Sequence, residues 1–389
     1  MEERQKFLVP DYYPDFHCKM GACRSACCEG WPISLSMKDY FTLLSVECSP
    51  ETRRKLDCAM HLAEHPMPEA YAHILPRYDG ACPMRMEDGR CALHAEVGEH
   101  ILAPVCRLYP RGVRTGEVYE CSCANSCEAV LEMFIERKAP IAFEDMTLDI
   151  QPPKENLRTH HFEHGGRQQK LRLWLIGLVQ DRRYPIAGRL VMVGDAIQEM
   201  DSAMRTGNWQ KIEELIDGRK RLPEYEKPVT GPGDLCIGLG IAERMLDFMD
   251  QRSDSVRKYG EAALEYFEET DGAYERYVSA CEGFESVMPD WEIWFEHMLV
   301  NHMFFSQFPF QDRPVDVKDE FLGLCTVYML LRFLCVGWTA LKGNRQAAVD
   351  AAAAAFRLID HTEFDRYAAP ALKELGHNNW SEMHEILCL

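Results

Sequence analysis

The sequence lacks the features that mark several common classes of protein. Lys and Arg number 43 against 62 Asp and Glu, so the 389-residue chain carries a formal net charge of −19. Such a chain repels phosphate backbones, and we expect no nucleic-acid partner, although a lysine-bearing protein would be attracted. The opening segment MEERQKFLVPDYYPDF has no apolar run, which predicts a cytoplasmic protein rather than a secreted one. Low complexity is also absent, since 47% of the residues are hydrophobic and 27% are charged.

Cysteine is scarce over most of the chain and dense near its beginning. Of 17 cysteines, twelve lie between Cys18 and Cys127. In a reducing cytoplasm, clustered thiols more often bind a metal than form disulfides. Cysteine is also a common core residue, and we expect the cysteines outside the dense groups to be buried thiols. These are Cys48, Cys58, Cys236, Cys281, Cys325, Cys335 and Cys388.

One segment, residues 321–341, is almost wholly apolar over a length that could cross a bilayer. Arg332 lies at its middle, and no basic cluster flanks the segment to orient it in a membrane. We therefore predict the buried central helix of a helical domain, and we expect no membrane partner.

Two regions of the chain differ in composition. Residues 1–137 are rich in Cys, Pro and Gly and show only short periodic runs, whereas helical periodicity dominates residues 157–389. Residues 138–156 contain three prolines and indicate a linker. We predict a mainly α fold, in which an irregular cysteine-rich metal-binding module precedes an all-α helical domain with a core of its own.

Local patterns predict the individual elements. In the module we expect short helices over residues 37–46 and 50–65, and a hairpin over residues 112–121 with Thr-Gly-Glu at its turn. In the helical region, apolar residues recur every three or four positions, and Gly or Pro fills the gaps. The helices predicted there are 167–182, 185–206, 209–221, 232–251, 256–269, 274–286, 291–305, 318–341, 345–359 and 363–375.

The dense cysteines fall into four groups. They are Cys18, Cys23, Cys27 and Cys28; Cys82 and Cys91, with His94 nearby; Cys106; and Cys121, Cys123 and Cys127. No C-x2-C pair is present, which disfavours a structural zinc site. An iron–sulfur cluster needs four thiolates, or three with one iron left open, and uneven spacing suits it better. Metal ligation by a subset is therefore favoured over packing alone, and iron–sulfur over zinc.

The cysteine groups belong to longer motifs. Residues 16–31 have the pattern F-x-C-x4-C-x3-C-C-x-G-W, residues 89–91 are G-x-C, residues 106–111 are C-R-x-Y-P-R, and residues 126–128 are S-C-E. Together these motifs resemble the flagellin lysine-N-methylases, whose S-C-P-E contains a proline that is missing here. The resemblance covers residues 12–130 and fades over the helical region, where we find no motif. A broader group of zinc- or iron-chelating proteins shares the C-x3-C-C and C-R-x-Y features without the helical half.

The resemblance implies a transferase that moves a methyl group from S-adenosylmethionine to the ε-amine of flagellin lysines. It also implies an iron–sulfur cluster, expected as 4Fe-4S with zinc as the alternative. The implied metal ligands are Cys18, Cys23, Cys27, Cys28, Cys82, Cys91, Cys106 and Cys127. Eight cysteines exceed the need of one cluster, while Cys121 and Cys123 lie outside the family pattern. The alternative function is a non-enzymatic zinc- or iron-chelating or redox protein with a helical partner-binding domain.

No sequence signal identifies the S-adenosylmethionine site or a catalytic base. The glycine-rich residues 231–240 follow a charged, proline-broken segment rather than a strand, so they predict a helix start and not a doubly wound fold. The C-x3-C-x2-C motif of radical enzymes is absent. Glu29, His94, Tyr109 and Glu128 could accept a lysine proton, but their spacing favours none of them. We therefore assign no catalytic and no cofactor-binding residue.

Overall fold

The chain divides into two units, each built from separated stretches of sequence. The computed structural model describes residues 5–24, 27–150, 167–223, 225, 230–267, 272–310, 316–378 and 380–387. The larger unit draws on Met1–Asp15, Val113–Ser126 and Val130–Leu389, and the smaller on Phe16–Gly112 and Cys127–Ala129. The three segments predicted from composition, 1–137, 138–156 and 157–389, are not tested by this division and stay a prediction. The linker residues 151–156 lie outside the described residues.

The described residues form seven strands and sixteen α-helices. The strands are β1 (Gln5–Pro10), β2 (Ile33–Leu35), β3 (Met60–Met67), β4 (Ala70–Ile74), β5 (Arg111–Thr115), β6 (Tyr119–Cys123) and β7 (Phe143–Leu148). The helices are α1 (Met37–Ser45), α2 (Pro50–Ala59), α3 (Ala92–Glu96), α4 (Pro104–Leu108), α5 (Glu128–Glu136), α6 (Gln168–Val179), α7 (Ile186–Thr206), α8 (Gln210–Ile216), α9 (Pro232–Asp250), α10 (Arg257–Tyr266), α11 (Ala273–Val287), α12 (Trp291–Phe305), α13 (Val317–Lys342), α14 (Arg345–Ile359), α15 (Phe364–Glu374) and α16 (Trp380–Ile386). The fold is mainly helical, as predicted.

Helices α6 to α15 confirm the ten predicted for the helical region. Helices α12 and α14 begin and end where the apolar pattern placed them, whereas α8 ends earlier, at Ile216. Local signals explain the boundaries: α7 ends at Gly207, whose φ of +72° favours glycine, and Asn344 caps α14 by accepting from the Ala347 amide. Helix α9 begins at Pro232, which confirms the predicted helix start. The sequence analysis missed α16.

Helix α13 is buried along almost its whole length by α7, α10, α11, α14 and α15. By length and composition it could cross a membrane, but nearly all of its apolar stretch is covered by the larger unit. At its middle, the Arg332 guanidinium lies 4.3 Å from the centroid of the Trp291 ring and 3.5 Å from a Glu285 carboxylate oxygen. The charge is thus balanced within the unit, and the prediction of a buried central helix is confirmed.

The larger unit also contains a four-stranded sheet, in the order β5-β6-β1-β7. Strand β1 runs antiparallel to β7, from the pair Gln5↔Leu148 to the pair Pro10↔Phe143, and parallel to β6. The β5–β6 pair confirms the predicted hairpin. Strand β1 was not predicted, and β7 falls within the segment predicted as a linker.

A buried polar network fastens this sheet to α12. The Asn301 side chain on α12 accepts from the Tyr12 hydroxyl and donates to the Cys123 carbonyl and to Asn125 Oδ1, both at 2.7 Å. The side-chain amide nitrogen of Asn125 in turn donates to the Met298 carbonyl at 2.8 Å. Satisfied polar groups in a low-dielectric interior fix one arrangement, because any other would leave some of them without a partner.

A buried ion pair joins the sheet to α6. Arg172 donates through Nη1 and Nη2 to the two carboxylate oxygens of Glu120 on β6, at 2.6 and 3.0 Å. The helical region therefore takes partners for buried groups from the first 137 residues. The described residues of 157–389 are helical throughout, as predicted, but the core of the larger unit also includes buried residues of β1 and β6.

We predict that Arg172→Ala destabilises the larger unit by about 3–5 kcal/mol, because it leaves the Glu120 carboxylate buried without its cation. Chemical denaturation of the full chain, followed by far-UV circular dichroism, measures this loss. The double variant Arg172→Met with Glu120→Leu should recover most of it. The control is Arg183→Ala, whose guanidinium is exposed beside Asp181 and should change stability by less than about 1 kcal/mol. Equal losses for Arg172→Ala and the control would contradict the assignment.

The smaller unit combines the three-stranded sheet β2-β4-β3 with short helices. Ser36 and Asp39 form a capping box at the start of α1, where the predicted helix is confirmed. The helix predicted over residues 50–65 ends instead at Ala59, because Met60–Met67 pairs with β4 as a strand. The N-terminal region is therefore less irregular than predicted.

Candidate metal centre

All eight cysteines predicted as metal ligands lie in the smaller unit. Seven of them belong to Phe16–Gly112, and the eighth, Cys127, returns to the unit in the three-residue stretch Cys127–Ala129. Cys121 and Cys123, which lie outside the family pattern, are buried on β6 of the larger unit. None of the described cysteines forms a disulfide. The chain thus gathers the predicted ligand pool and leaves out the two neighbouring cysteines.

A glycine crossing brings the first cysteine loop against the turn that precedes Cys91. Gly21 and Gly89 have φ values of +97° and +82°, in the region that favours glycine. Their backbones touch, so that a Cβ at Gly21 would lie 2.5 Å from the Gly89 carbonyl carbon. Only hydrogen side chains allow this approach, which explains the glycine of the G-x-C motif.

A second backbone contact aligns Cys28 with Cys82. The Cys82 amide donates to the Cys28 carbonyl at 2.7 Å, and the Gly30 amide donates to the Gly80 carbonyl at 2.9 Å. Glu29 and Ala81 form the antiparallel bridge between these two bonds. The contact joins the first cysteine group to the second.

Hydrogen bonds within the second group hold Cys82 and Cys91 in adjacent turns. The Arg85 amide donates to the Cys82 carbonyl at 3.0 Å, and Arg85 forms an antiparallel bridge with Cys91. The Arg85 guanidinium also pairs with the Glu29 carboxylate. Glu29, a candidate base from the sequence, therefore helps to hold the first group to the second.

Four thiols, those of Cys27, Cys82, Cys91 and Cys106, influence one another electrostatically; we call them the four-thiol group. Burial, reinforced by the other three thiols, raises the pKa of Cys106 to about 12. Burial also raises the pKa values of Cys82 and Cys91, and charge on Cys91 and Cys27 respectively adds to these shifts. A bound cation would oppose the shifts because it stabilises thiolates. Cys82, Cys91 and Cys106 therefore favour their neutral thiol form where no cation is bound.

Glu128 holds the loop that carries Cys18 and Cys23. Its carboxylate is buried, forms an ion pair with Lys19 and accepts from the Arg24 amide at 2.9 Å. Burial, followed by the nearby Glu128 charge, raises the pKa of Cys23 to about 11, whereas Lys19 opposes the shift. The sequence analysis named Glu128 as a candidate base, and its contacts suit a structural role in the loop.

The C-R-x-Y-P-R motif contributes ring contacts around Cys106. The Tyr109 ring lies 6.5 Å from the Trp31 ring between centroids, and the Arg111 guanidinium lies over the Phe16 ring at 5.1 Å. Phe16 and Trp31 are the first and last residues of the first cysteine motif. The aromatic and arginine residues thus tie the third cysteine group to the first.

The donor chemistry of the four-thiol group fits an iron–sulfur cluster. Four thiolates are the number that such clusters take. Soft sulfur ligands also suit zinc, so the donor atoms are compatible with both metals. Within the part of the chain that the structure describes, no three His, Cys, Asp or Glu side chains lie close enough to share one metal ion. The ligand choice among the eight cysteines stays a prediction.

The remaining cysteines differ in burial. Cys325 and Cys335 are buried, which confirms the expectation of core thiols. Cys48 and Cys281 are half-buried. The expectation is wrong for two exposed residues, Cys58 on α2 and Cys236 on α9, because both helices turn these positions to solvent. Cys388 lies outside the described residues.

Comparison with known proteins identifies the family to which the chain belongs. A family model described as "FliB lysine N-methylase C-terminal domain" matches residues 172–389, more than half of the chain. The chain belongs to this family. The resemblance seen in the cysteine motifs is confirmed, and the match falls on the helical region, where the sequence analysis found no motif.

Two curated proteins, each named "Lysine-N-methylase", are similar to part of the chain. They come from Salmonella choleraesuis (strain SC-B67) and Salmonella typhimurium (strain LT2), and each is 27% identical over 145 residues. The alignment covers 36% of this chain and only 35% of each relative. No solved structure matches the chain.

We predict that Gly21→Ala and Gly89→Ala each destabilise the smaller unit by at least about 1–2 kcal/mol, because a side chain there meets both the φ penalty and the facing backbone. Thermal unfolding together with iron and sulfide content measures the effect. The matched control is Gly240→Ala on α9, where a Cβ meets no neighbour within 4 Å. That variant should keep its metal and be stabilised by up to about 1 kcal/mol. Unchanged stability in both crossing variants would contradict the described contact.

Proposed function

We propose that this protein is an S-adenosylmethionine-dependent protein-lysine N-methyltransferase that acts on flagellin in the cytoplasm. The observation that carries the proposal is the family match over residues 172–389. The motifs of the smaller unit, which resemble the flagellin lysine-N-methylases, support the same activity independently. The formal net charge of −19 favours the approach of a lysine-bearing surface.

The proposal includes an iron–sulfur cluster, expected as 4Fe-4S, in the smaller unit. The four-thiol group would hold it, and Cys18, Cys23, Cys28 and Cys127 complete the pool in the same unit. When bound, such a cluster supplies iron as a Lewis acid and as a one-electron redox centre. The chain's own residues set the ligand positions: Gly21 and Gly89 bring two cysteine segments together, and Glu128 holds the first loop.

The methyl transfer balances as a substitution at carbon. The lone pair of the lysine ε-amine forms the new N–C bond, and the C–S bond of S-adenosylmethionine breaks with its electron pair on sulfur. The lysine must also lose a proton, since its ammonium form is not a nucleophile at pH 7. Desolvation lowers the pKa of the lysine ammonium, and a nearby base or water accepts the proton. We assign no base, because Glu29 and Glu128 are both engaged in ion pairs.

The activity is tested with anaerobically purified full-length protein, flagellin and methyl-labelled S-adenosylmethionine. We predict that the label enters flagellin lysines, seen as mass increments of one or more methyl groups on lysine-containing peptides. The matched control is flagellin whose lysines have been blocked by acetylation, which should take up no label. A cluster-loaded protein that neither binds the cofactor nor labels flagellin would overturn the proposal in favour of a non-enzymatic chelating or redox protein.

We predict that replacing any member of the four-thiol group by Ser strips most of the iron and sulfide, because an incomplete thiolate set does not retain a cluster. Metal analysis and the visible spectrum after anaerobic reconstitution measure the loss. Cys23→Ala and Cys28→Ala test the rest of the first group in the same way. The control is Cys58→Ser, an exposed cysteine of the same unit outside the ligand pool, which should keep its full metal content. Full iron content in all four variants of the four-thiol group would remove this assignment.

A further inference from the structure

The larger unit contains a pocket among its helices. Its volume is about 480 Å³, within the range of small-molecule sites. The pocket lies where the start of α7, the start of α12 and the middle of α13 meet, and Tyr225 also lines it. Every lining residue falls within residues 172–389, the segment that matches the family.

The pocket lining includes a cation packed against an aromatic ring. Arg332 lines the pocket from α13, with its guanidinium 4.3 Å from the centroid of the Trp291 ring. Tyr328, one helical turn before Arg332, adds a second ring. A guanidinium presents five N–H donors in a planar fork, which suits a carboxylate. Aromatic faces suit a planar base or a cation.

Carboxylates also line the pocket. Glu285 lies 3.5 Å from Arg332, and Glu292 accepts from the Ile186 amide at 3.2 Å while its side chain stays about one-third exposed. Asp290 also lines the pocket. Carboxylates accept hydrogen bonds from hydroxyl and ammonium groups and attract cations. They also disfavour phosphates, which argues against a nucleotide.

The wall chemistry selects a ligand with both charges. Arg332 would repel the ammonium of a lysine side chain. The carboxylates in the lining would repel a simple carboxylate ligand. S-adenosylmethionine carries a carboxylate, an ammonium, a positively charged sulfonium, a ribose with two hydroxyls and a planar base. Each of these groups has a counterpart among Arg332, Trp291 and the carboxylates Glu285 and Glu292.

We propose that this pocket between α7, α12 and α13 binds S-adenosylmethionine, with Arg332 on its carboxylate, an aromatic ring on its base or sulfonium, and Glu285 and Glu292 on its hydroxyls and ammonium. The inference rests on the proposed methyltransferase function and places the cofactor in the larger unit. It explains why the chain needs no glycine-rich strand–turn–helix motif, since the site is built from side chains of helices.

Equilibrium binding of S-adenosylmethionine to the full-length protein tests the assignment. Trp291→Leu and Glu292→Gln should each raise Kd by about tenfold or more, the loss that one charged hydrogen bond or one stacked ring accounts for. The matched controls are Trp338→Leu, on the same helix as Arg332 but outside the pocket, and Glu374→Gln on α15. Both controls should bind as the unaltered protein does, and thermal unfolding checks that every variant is folded.

Photochemical crosslinking of methyl-labelled S-adenosylmethionine to the unaltered protein gives a second measurement that needs no variant. The label should map to peptides that contain Trp291 or Tyr328. Label confined to residues 16–112 would overturn the assignment and place the cofactor in the cysteine unit.

The binding outcomes separate this inference from the proposed function. If the protein methylates lysine while both pocket variants keep the original Kd, the pocket assignment alone is wrong. If the protein neither binds the cofactor nor methylates, the proposed function fails and the assignment fails with it. A selective rise in Kd for the pocket variants, with the two controls unchanged, supports both.

Discussion

The backbone crossing of Gly21 and Gly89 is the constraint on which the smaller, cysteine-rich unit depends. The two residues are far apart in sequence, yet their main chains touch at a distance that excludes any side chain. This contact brings the loop of Cys18 and Cys23 to the turn before Cys91. The backbone hydrogen bond from the Cys82 amide to the Cys28 carbonyl then aligns the remaining part of the first group. Main-chain contacts therefore help to set where the thiols stand, together with the apolar cluster of this unit, against which Cys82 and Cys91 pack.

Charge on the thiols would oppose this arrangement. Burial raises the pKa values of Cys82, Cys91 and Cys106, and charge on one thiol disfavours charge on the next. Holding them together as thiolates therefore requires a bound cation. In the larger unit buried charges are balanced by protein, as in Arg172 with Glu120. The two units thus handle buried polar groups in different ways.

Much of the fold could be predicted because its signals are local. Helices α12 and α14 followed from apolar spacing, and α9 from Pro232 at its first position. Strand β1 was missed because it gains its stability from pairing with β6 and β7, which lie far along the chain. The end of α2 was misplaced for the same reason, since Met60–Met67 becomes a strand only through its pairing with β4.

The candidate site could be predicted only in part. The motifs named the eight cysteines that share one unit, since sulfur ligands and their spacing are visible in sequence. The glycine crossing could not be predicted, because nothing local shows that residue 21 meets residue 89. The contacts of Glu29 with Arg85 and of Glu128 with Lys19 are also long-range, so the sequence left these carboxylates as candidate bases.

The parallel pairing of β1 with β6 has a consequence for how the chain acquires its structure during synthesis. β1 leaves the ribosome before its partners: β6, around Glu120, follows about 110 residues later, and β7 follows after that. Nearly all of the smaller unit, Phe16–Gly112, is made within this interval. β1 must therefore stay unpaired and soluble while the smaller unit is made. The larger unit can complete its sheet only after β6 and β7 have been made.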